Sequence, residues 1–314
     1  MPSIVIITPV FEDADVAARL CRDIRQVLGR DVTIVAVDDG SVKNVIEPSA
    51  IAQAGLGGVL IRLRRNVGHQ RAIAVGLSYV ASNLPTATAV VMDSDGEDIP
   101  ASIPMLLETL AGSDVDVVVA QRQQRTESFL FRVFYEIYRF VFLLLSGRQI
   151  RFGNFMALAP TGLKRLAAMP EVWTHVASSV LLSRLRITFR RIDRGTRYAG
   201  QSKMNFSALV LHGVRALMVF AEDVLVRVCI VCAAIAATSL MLIAATIILK
   251  AIGFATPGWF SVALGILLLV LLQTGALTLM SLMLSGVVRS GIPTQLDYRL
   301  LIDEVIVVDR QADV

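Results

Sequence analysis

The chain has 314 residues, 55% of them hydrophobic, and a formal net charge of +4 at pH 7. Its mean hydropathy of +0.65 is too high for an average soluble domain, and the charged residues of its first half exclude a pure membrane bundle. The basic residues are not interleaved with stacking aromatic side chains, so nucleic acid is not an expected partner. The sequence therefore combines a globular part with a membrane part.

The first half of the chain alternates β-rich runs with helical patterns. The predicted strands are residues 3–8, 32–37, 59–63, 87–92 and 115–120. The predicted helices between them are residues 13–28, 70–81 and 101–111. Such alternation is typical of an α/β fold, in which helices cover both faces of a mostly parallel sheet.

Polar residues follow each of the predicted strands. In chain order they are Thr8-Pro9, Asp38-Asp39, Arg64-Arg65-Asn66, Asp93-Ser94-Asp95 and Arg122. Parallel sheets bind ligands outside the carboxyl ends of their strands. Random placement of polar residues would not favour this edge so consistently, so we expect a binding site there.

Asp93 and Asp95 are the most informative of these residues. Alternate side chains of a strand share one face, so the two carboxylates leave the strand end pointing the same way. Mg²⁺ is usually held by one or two carboxylates, while substrate phosphates and water complete its coordination. An isolated Asp-x-Asp is more often an acidic cluster on a solvated loop, so this prediction of a metal–diphosphate site depends on the other motifs.

Two long uncharged runs lie in the second half of the chain. They are residues 228–249 and 259–288, separated by a short connection from Lys250 to Gly258. At about 1.5 Å per residue each helix would exceed the roughly 30 Å hydrocarbon core of a bilayer. The alternative is a buried hairpin in a soluble core, but nothing else in the chain is large enough to cover it. We therefore predict two transmembrane helices.

The flanking charges predict how these spans are oriented. No signal peptide is evident at the amino terminus, so we expect the first domain to stay in the cytoplasm. Arg215 and Arg227 precede the first span, Arg289 and Arg299 follow the second, and Lys250 lies in the connection. The positive-inside rule then predicts a multi-pass protein of the inner (cytoplasmic) membrane, with its carboxy terminus also in the cytoplasm.

Two further segments have an amphipathic pattern. Residues 126–146 and 206–220 are rich in apolar residues and carry their charges on one side. This pattern is typical of helices that lie at a membrane interface, although ordinary core helices can share it. We expect both to be interfacial, so that the mouth of the site faces the bilayer.

Six motifs, taken in chain order, resemble the inverting family-2 glycosyltransferases of GT-A (Rossmann-like) fold. They are Thr8-Pro9-Val10-Phe11-Glu12-Asp13, Val37-Asp38-Asp39-Gly40-Ser41, Arg65-Asn66-Val67-Gly68-His69-Gln70, Asp93-Ser94-Asp95-Gly96-Glu97-Asp98-Ile99-Pro100, Gly153-Asn154-Phe155 and Arg197-x-x-Gly200-x-Ser202-Lys203. Within that family the set is similar to the polyisoprenyl-phosphate glycosyltransferases, the group of dolichol-phosphate mannose synthase and bactoprenol glucosyl transferase. The resemblance covers most of the chain, including the two predicted spans.

The resemblance implies a set of residues that bind a nucleotide-diphosphate sugar. The set is Pro9, Asp13, Asp39, Asn66, Gly68 and Asp93. Asp39 would contact the nucleoside, and Gly40 would let the backbone turn tightly beside it. Asp93 and Asp95 would hold Mg²⁺ or Mn²⁺ against the diphosphate, so that the leaving group departs with its charge neutralised. Of the two, Asp95 is expected to be the direct ligand.

The resemblance also implies residues for the reaction and for a lipid phosphate. The catalytic set is Asp95, Asp98, Arg122 and Asn154, and the acceptor-phosphate set is Arg125, Arg197, Ser202 and Lys203. Guanidinium groups bind phosphate bidentately, and an ammonium group adds a point charge. For Arg125 and Lys203, a basic belt at the membrane surface is the alternative interpretation.

Two departures from the family pattern affect the chemistry. Glu12-Asp13 stands where the family has Asn-Glu, and Asn154 stands where many relatives have an Asp proposed as general base. Asn cannot accept a proton. A phosphomonoester, however, has a second pKa near 6, is largely dianionic at pH 7 and can attack without a base. The substitution at Asn154 therefore favours a phosphate acceptor over a sugar hydroxyl.

These observations predict a membrane-anchored, metal-dependent enzyme. It would transfer a hexose with inversion from a nucleotide-diphosphate sugar, with UDP favoured, to polyprenyl phosphate at the cytoplasmic leaflet. Undecaprenyl phosphate is the expected lipid, and the sequence leaves a homo-oligomer open. One rival is a processive polysaccharide synthase, but neither Trp173 nor Trp259 lies in the Gln-x-x-Arg-Trp motif of such enzymes. A catalytically silent membrane scaffold is the other rival, and the intact motifs argue against it.

The predicted domain organisation has four parts. They are a nucleotide-sugar-binding core (1–125), an acceptor-side part with the interfacial helices (126–223), a two-span transmembrane hairpin (224–288) and a cytoplasmic tail (289–314).

Overall fold

The computed structural model describes residues 3–122, 129–149, 152–193, 195–198, 206–254, 256, 258–290 and 297–310. The chain separates into two compact units. The first contains Met1–Tyr135, Ile150–Val219 and Gln295–Val314, and the second contains Glu136–Gln149 and Phe220–Thr294. The division into four parts that was expected from the sequence stays a prediction.

The described residues of the first unit form an eight-stranded sheet. Its strands are β1 (Ile4–Val10), β2 (Val32–Asp38), β3 (Gly57–Leu63), β4 (Thr88–Val91), β5 (Val117–Arg122), β6 (Met156–Leu158), β7 (Ile187–Ile192) and β8 (Ile302–Val308). Their spatial order is β7-β5-β6-β4-β1-β2-β3-β8. Only β6 and β8 run antiparallel to their neighbours, so the predicted mostly parallel sheet is confirmed.

Helices cover both faces of this sheet. They are α1 (Ala14–Leu28), α2 (Pro48–Ala52), α3 (His69–Asn83), α4 (Ile103–Gly112), α6 (Pro160–Ala167), α7 (Val176–Leu182) and α8 (Phe206–Met218), with short 3₁₀ turns at Pro100–Ser102, Pro170–Trp173 and Tyr298–Leu301. Neighbouring residues of one strand face opposite cores: Ile7 packs with the α3 cluster, and Ile6 with the α1 cluster. Because the strands are covered on both sides, they form near-continuous apolar runs.

Six of the eight described strands run in the same direction, so their carboxyl ends lie at the same edge of the sheet. The strands β1 to β4 are parallel, and β5 and β7 run the same way because β6 is antiparallel to both β4 and β5. The strand β6 therefore begins at the edge where β4 ends, and Asn154, two residues before β6, lies at this edge. Among the described residues, the motifs that follow β1 to β4 and the motif that precedes β6 thus share this edge.

The strand β8 was not expected from the sequence. It pairs antiparallel with β3, with Val59 opposite Val307. Arg62 on β3 donates to Glu304 on β8 at 3.2 Å and to Glu47 at 3.1 Å. The segment predicted to be a tail therefore completes the sheet of the first unit.

The second unit contains α9 (Ala221–Ala251), α10 (Trp259–Ser290) and the end of α5 (Phe129–Ser146). The most apolar 18-residue windows of α9 and of residues Trp259–Gly286 in α10 have mean hydropathies of 2.5 and 2.3, and both helices are long enough to span a membrane. Only 11% and 0% of their most apolar windows are buried within the protein, which a core helix of a soluble protein would not show. The two predicted spans are thus present as apolar helices that are long enough to cross a membrane.

Three contacts hold the end of α5 and the residues that follow it in the second unit. The Arg148 guanidinium lies 4.0 Å from the Asp223 carboxylate and stacks over the Phe220 ring. The ring of Phe142 meets Phe220 edge-on at 5.8 Å. The interfacial placement expected for α5 and α8 stays a prediction, although α8 exposes the apolar side chains of Val210, Leu211, Val214 and Met218.

Candidate active site

Asp39 ties two loops of the sheet edge together. Its Oδ1 accepts the Val67 N–H at 2.7 Å, and its Oδ2 accepts the Gly68 N–H at 2.9 Å. Burial raises the pKa of this carboxyl group, while the two N–H donors act against that rise. Asp39 therefore fixes the loop in front of α3, and a nucleoside would have to use its remaining lone pairs.

The turn beside Asp39 depends on a glycine. Gly40 has a φ of +71°, and a Cβ atom there would lie 2.5 Å from the carbonyl carbon of Arg65. No side chain fits such an approach of two backbones, so Gly40 is needed for both its conformation and its size. Asn66 and Gly68, two of the predicted donor-binding residues, follow directly on the approached backbone.

Glu12 has a structural role that the sequence did not reveal. Its two carboxylate oxygens accept the backbone N–H groups of Val42, Lys43 and Asn44, and its own N–H donates to Ser41 Oγ. These bonds lower the pKa of Glu12, the bonds from Val42 and Asn44 most of all. The residue adopts a φ of +52°, a conformation in which Asn is favoured over Glu. Glu in place of the family's Asn is therefore less favourable for this backbone conformation, but its carboxylate binds three backbone N–H groups of the neighbouring loop.

The loop of Asp93 and Asp95 is closed by its own carboxylates. Asp98, which is 4% exposed, accepts the Asp93 N–H at 2.9 Å, and Asp95 accepts the Glu97 N–H at 3.0 Å. Burial raises the pKa of Asp95, and Arg197 acts in the opposite direction. Asp98 therefore shapes the loop, and its predicted catalytic role stays a prediction.

Residues 195–198, called the strap below, lie along this loop. The Gly195 N–H donates to the carbonyl of Glu97, and the Tyr198 N–H donates to that of Asp95, each at 2.9 Å. The Tyr198 hydroxyl donates to Asp23 on α1 at 2.5 Å. Through these bonds the strap holds the Asp95–Glu97 turn against α1.

Arg197 of the strap places a cation on the expected metal ligand. Its Nη2 lies 2.8 Å from Asp95 Oδ2 and 3.4 Å from Glu97 Oε1. Asp95 therefore has the Arg197 guanidinium as its positively charged partner. Oxygen donors also match the preference of Mg²⁺ and Mn²⁺, so Asp93 and Asp95 fit the implied metal. No group of three or more His, Cys, Asp or Glu side chains among the described residues could hold a metal by itself.

His69 links Asp93 to Asn154. Its Nε2 lies 3.1 Å from Asp93 Oδ1 and 3.2 Å from Asn154 Nδ2. Desolvation lowers the pKa of His69, but the neighbouring carboxylates, Asp93 foremost, raise it more, so the net shift is upward. The residue that replaces the family's proposed base therefore contacts the same imidazole as the first Asp of the motif.

A shallow pocket lies beside the Asp98 turn at the same edge. It is lined by Glu97, Asp98, Ala120, Gly153, Phe155, Ile192 and Asp193. Three of these lining residues, Glu97, Asp98 and Asp193, carry carboxylates.

The other predicted site residues lie as follows. Pro9 is buried near the end of β1, Asp13 is the residue before α1, and Arg122 is the last residue of β5, paired in register with Ile192. Arg125, Ser202 and Lys203 lie outside the described residues. The structure thus places the residues predicted for the metal site and the nucleoside site at one edge of the sheet. Asn154, and Arg197 of the acceptor set, lie at the same edge.

The sequence missed three features of this edge: the Glu12 contacts, the Tyr198–Asp23 bond, and the positions of His175 and His212. Tyr198 adjoins a recognised motif residue, which was a usable signal. The other partners are far apart in the chain, and only the folded backbone brings them together.

The mostly parallel sheet carries Asp93 and Asp95 at the carboxyl ends of its strands, beside the turn at Asp39-Gly40. This fold is of the GT-A class. Residues 5–163, about half of the chain, match the model of glycosyl transferase family 2. The chain belongs to that family, as the motifs predicted.

Curated relatives match the same part of the chain. The chain is 33% identical over 132 residues to the undecaprenyl-phosphate 4-deoxy-4-formamido-L-arabinose transferase of Klebsiella pneumoniae (strain 342), covering 40% of this chain and 38% of the relative. It is 34% identical over 130 residues to the protein of that name from Sodalis glossinidius (strain morsitans), covering 39% and 38%. The chain thus spans about two fifths of the length of the curated relatives it matches.

Solved structures share the fold. A mycobacterial protein superposes with a TM-score of 0.51 at 16% identity, covering 71% of this chain and 75% of that chain. Glucosyl-3-phosphoglycerate synthase from Mycobacterium tuberculosis, in complex with Mn²⁺, UDP and glucosyl-3-phosphoglycerate, superposes with a TM-score of 0.50 at 15% identity, covering 72% and 80%. At such low identity these likenesses establish the fold alone.

Proposed function

We propose that the protein transfers a hexose from a nucleotide-diphosphate sugar to polyprenyl phosphate, with inversion, at the cytoplasmic leaflet of the inner membrane. UDP is the favoured nucleotide, and undecaprenyl phosphate is the favoured lipid. The observation that carries the proposal is the joint position of Asp93, Asp95 and Arg197 at one sheet edge, in a chain with two exposed apolar helices. Such a site combines a diphosphate with a second phosphate delivered from a bilayer.

The donor half of the site would be metal-dependent. Asp95 and Asp93 would hold Mg²⁺ or Mn²⁺, which when bound would neutralise the departing diphosphate. Asp39 fixes the loop of Asn66 and Gly68, so the backbone amides at the start of α3 are ordered before the donor arrives. Helix amino termini favour phosphate groups, which supports this placement of the donor.

The acceptor half would need no general base. Asn154 contacts His69 but cannot take a proton, and a lipid phosphate is its own nucleophile near pH 7. Arg197, and in the sequence Arg125, Ser202 and Lys203, supply donors for that phosphate. This arrangement favours a phosphate acceptor over the hydroxyl acceptor of a processive synthase.

The pairing of β8 with β3 supports the proposed topology. The strand β3 precedes both apolar helices and β8 follows them, yet the two belong to one sheet. If both helices cross the bilayer, the chain returns to the side from which it started. The flanking arginines then favour the cytoplasmic side.

The test uses full-length protein in membranes supplied with undecaprenyl phosphate. A panel of UDP- and GDP-linked hexoses and a UDP-linked pentose is offered, because the curated relatives are named for a formamido-arabinose. Appearance of one lipid-linked monosaccharide is the expected result. A polymer would instead identify a synthase, and no transfer from any donor would identify a scaffold.

The pH dependence of the rate tests the acceptor chemistry. If the lipid phosphate attacks without a base, the acidic limb should follow its second ionisation near pH 6, and Asn154→Asp should give little rate gain. Lys203→Ala should weaken use of the acceptor by about ten- to a hundredfold, as expected when a charge-assisted bond is lost. A large gain from Asn154→Asp would show that a carboxylate base is needed.

A further inference from the structure

The three histidines of the chain come from three separate elements and gather on one side of the site. His69 opens α3, His175 precedes α7, and His212 lies in the middle of α8. The Nε2 atoms of His175 and His212 are 3.1 Å apart, and their ring centroids are 4.5 Å apart. None of the motifs that define the family includes His175 or His212.

The tautomers of this pair are fixed by its surroundings. His175 Nδ1 accepts the Ser178 N–H at 3.1 Å and lies 3.0 Å from Ser178 Oγ. Since Nδ1 is an acceptor, the proton of the neutral His175 ring is on Nε2. His175 therefore donates to His212 Nε2, and His212 carries its own proton on Nδ1.

Both histidines of the pair are also held in the neutral form. His175 is 3% exposed, and burial, with His212 nearby, lowers its pKa to about 3. Burial also lowers the pKa of His212, with His69 and Arg215 acting in the same direction and Asp93 against it. A neutral donor–acceptor pair of this kind survives at the pH where an ordinary surface histidine would begin to charge.

One end of the pair is anchored to the catalytic edge. Gln70, the neighbour of His69, accepts the Val176 N–H at 2.7 Å, next to His175. The start of α3 and the start of α7 are thereby locked together. The other end, His212, lies on the inward side of α8, where Gly213 and Ala216 are buried. The opposite side of α8 exposes its apolar side chains.

We propose that His175 and His212 are positioning residues that hold α8, through one hydrogen bond, in the register needed to use a lipid phosphate. The proposal rests on the proposed function. In the sequence, Ser202 and Lys203 come four and three residues before the first residue of α8. A shift of α8 would displace the residues that lead into it, while Asp39 and Asp95 would keep their loop contacts.

The test separates acceptor use from donor use. His175→Asn keeps a side-chain oxygen as acceptor for the Ser178 N–H, and Asn is a favoured helix cap, but it lacks the ring Nε2 that donates to His212. His212→Leu removes the acceptor, whereas His212→Gln retains an acceptor atom near the position of Nε2. The full-length variants are assayed for kcat, for the KM of undecaprenyl phosphate and for the KM of the nucleotide-sugar.

We expect His175→Asn and His212→Leu each to raise the KM of the lipid about tenfold, which corresponds to about 1.4 kcal/mol and is typical of one hydrogen bond. The KM of the donor should change less than about twofold. The double variant should be no worse than either single variant, because both remove the same bond. His212→Gln should restore most of the wild-type lipid KM.

Ser179→Ala is the matched control. Its hydroxyl donates to the His175 carbonyl at 2.9 Å at the start of α7 and has no part in the bond to α8. It should change stability without changing the lipid KM. Additive effects of the two histidine variants, or equal rises in the donor and lipid KM, would overturn the proposal.

Hydrogen exchange gives a readout that does not depend on activity. The amides of α8 should exchange faster in His175→Asn and His212→Leu than in the wild type or His212→Gln, while the amides of β1 to β4 stay protected. Unchanged α8 exchange would also overturn the proposal. If the wild type transfers no sugar to polyprenyl phosphate but α8 exchange responds as expected, the proposed function fails and the positioning of α8 stands.

Discussion

The Arg197 guanidinium lies 2.8 Å from Asp95 Oδ2, so a residue expected to bind the acceptor phosphate lies on the carboxylate expected to bind the metal. The contact neutralises Asp95, which is about one-quarter exposed and whose pKa is raised by burial. A divalent cation and Arg197 would therefore compete for one carboxylate oxygen. This competition ties the two halves of the site together through a single side chain.

Asp95→Asn removes both the negative charge and the ion pair without changing the side-chain volume. Transfer should fall by orders of magnitude, as is common when a metal ligand is lost, while the protein stays folded and membrane-bound. The measurement is turnover together with Mn²⁺ binding. Asp31→Asn is the control, because Asp31 is exposed far from this edge and should leave both unchanged. Near wild-type turnover at saturating metal would refute the assignment of Asp95.

Gly96→Ala tests how tightly the strap covers the metal loop. Gly96 has a φ of +85°, and a Cβ atom there would lie 2.7 Å from the Tyr198 ring. The conformation alone costs roughly 1–2 kcal/mol, and the contact with the ring adds to it. Combining Gly96→Ala with Tyr198→Ala should relieve the contact but not the backbone strain, so the double variant should lose less stability than the sum. Gly112→Ala, which meets no atom within 4 Å, is the control for thermal unfolding.

The stability of the protein should fall at acidic pH because of His175. Burial, with His212 nearby, lowers the pKa of His175 from 6.5 to about 3, so the folded state keeps it neutral while the unfolded state takes up a proton. The contribution is complete above about pH 6.5 and is lost as the pH falls towards 3, by up to about 1.4 kcal/mol per pH unit. Urea unfolding followed by Trp173 fluorescence measures this slope. His175→Asn should flatten it, and an unchanged slope would contradict a buried neutral imidazole.

The strand β8 should contribute to the stability of the catalytic unit through its inward side chains. Val308 is 7% exposed and Val307 is 69% exposed, so the two neighbours differ in face but not in residue type. Val308→Ala should lower the free energy of unfolding by about 1–3 kcal/mol, through lost apolar burial and a cavity. Val307→Ala should stay within about 0.5 kcal/mol of the wild type. Equal effects of the two substitutions would show that β8 is not packed against the core.

The five strands predicted from the sequence are present because each is a buried apolar run with a turn after it. The strands that escaped prediction lack that signal. Residues Met156–Leu158 form only a three-residue strand, and Ile187–Ile192 carries exposed polar side chains. Residues Ile302–Val308 were assigned to a tail because their partner strand lies about 240 residues earlier, a distance over which local patterns carry no information.

The sequence predicted which edge of the sheet carries the site, but it did not predict the hydrogen-bond partners of the side chains there. Strand direction placed Asp39 and Asp95 at the same side of the sheet, since carboxyl ends of parallel strands meet there. Whether Asp39 would face a ligand or the Val67 N–H depends on where two loops meet. The bond between His175 and His212 likewise depends on the packing of α7 and α8, which no spacing in the sequence encodes.

The pairing of β8 with β3 also determines when the sheet can be completed during synthesis. During synthesis β3 emerges long before β8, so its outer edge stays an open template until the two apolar helices have been made and the chain has come back. A chain whose hairpin left its end on the wrong side of the bilayer could not close that edge. If α9 and α10 cross the membrane, the sheet can therefore be completed only when both helices are inserted so that β8 returns to the side of β3.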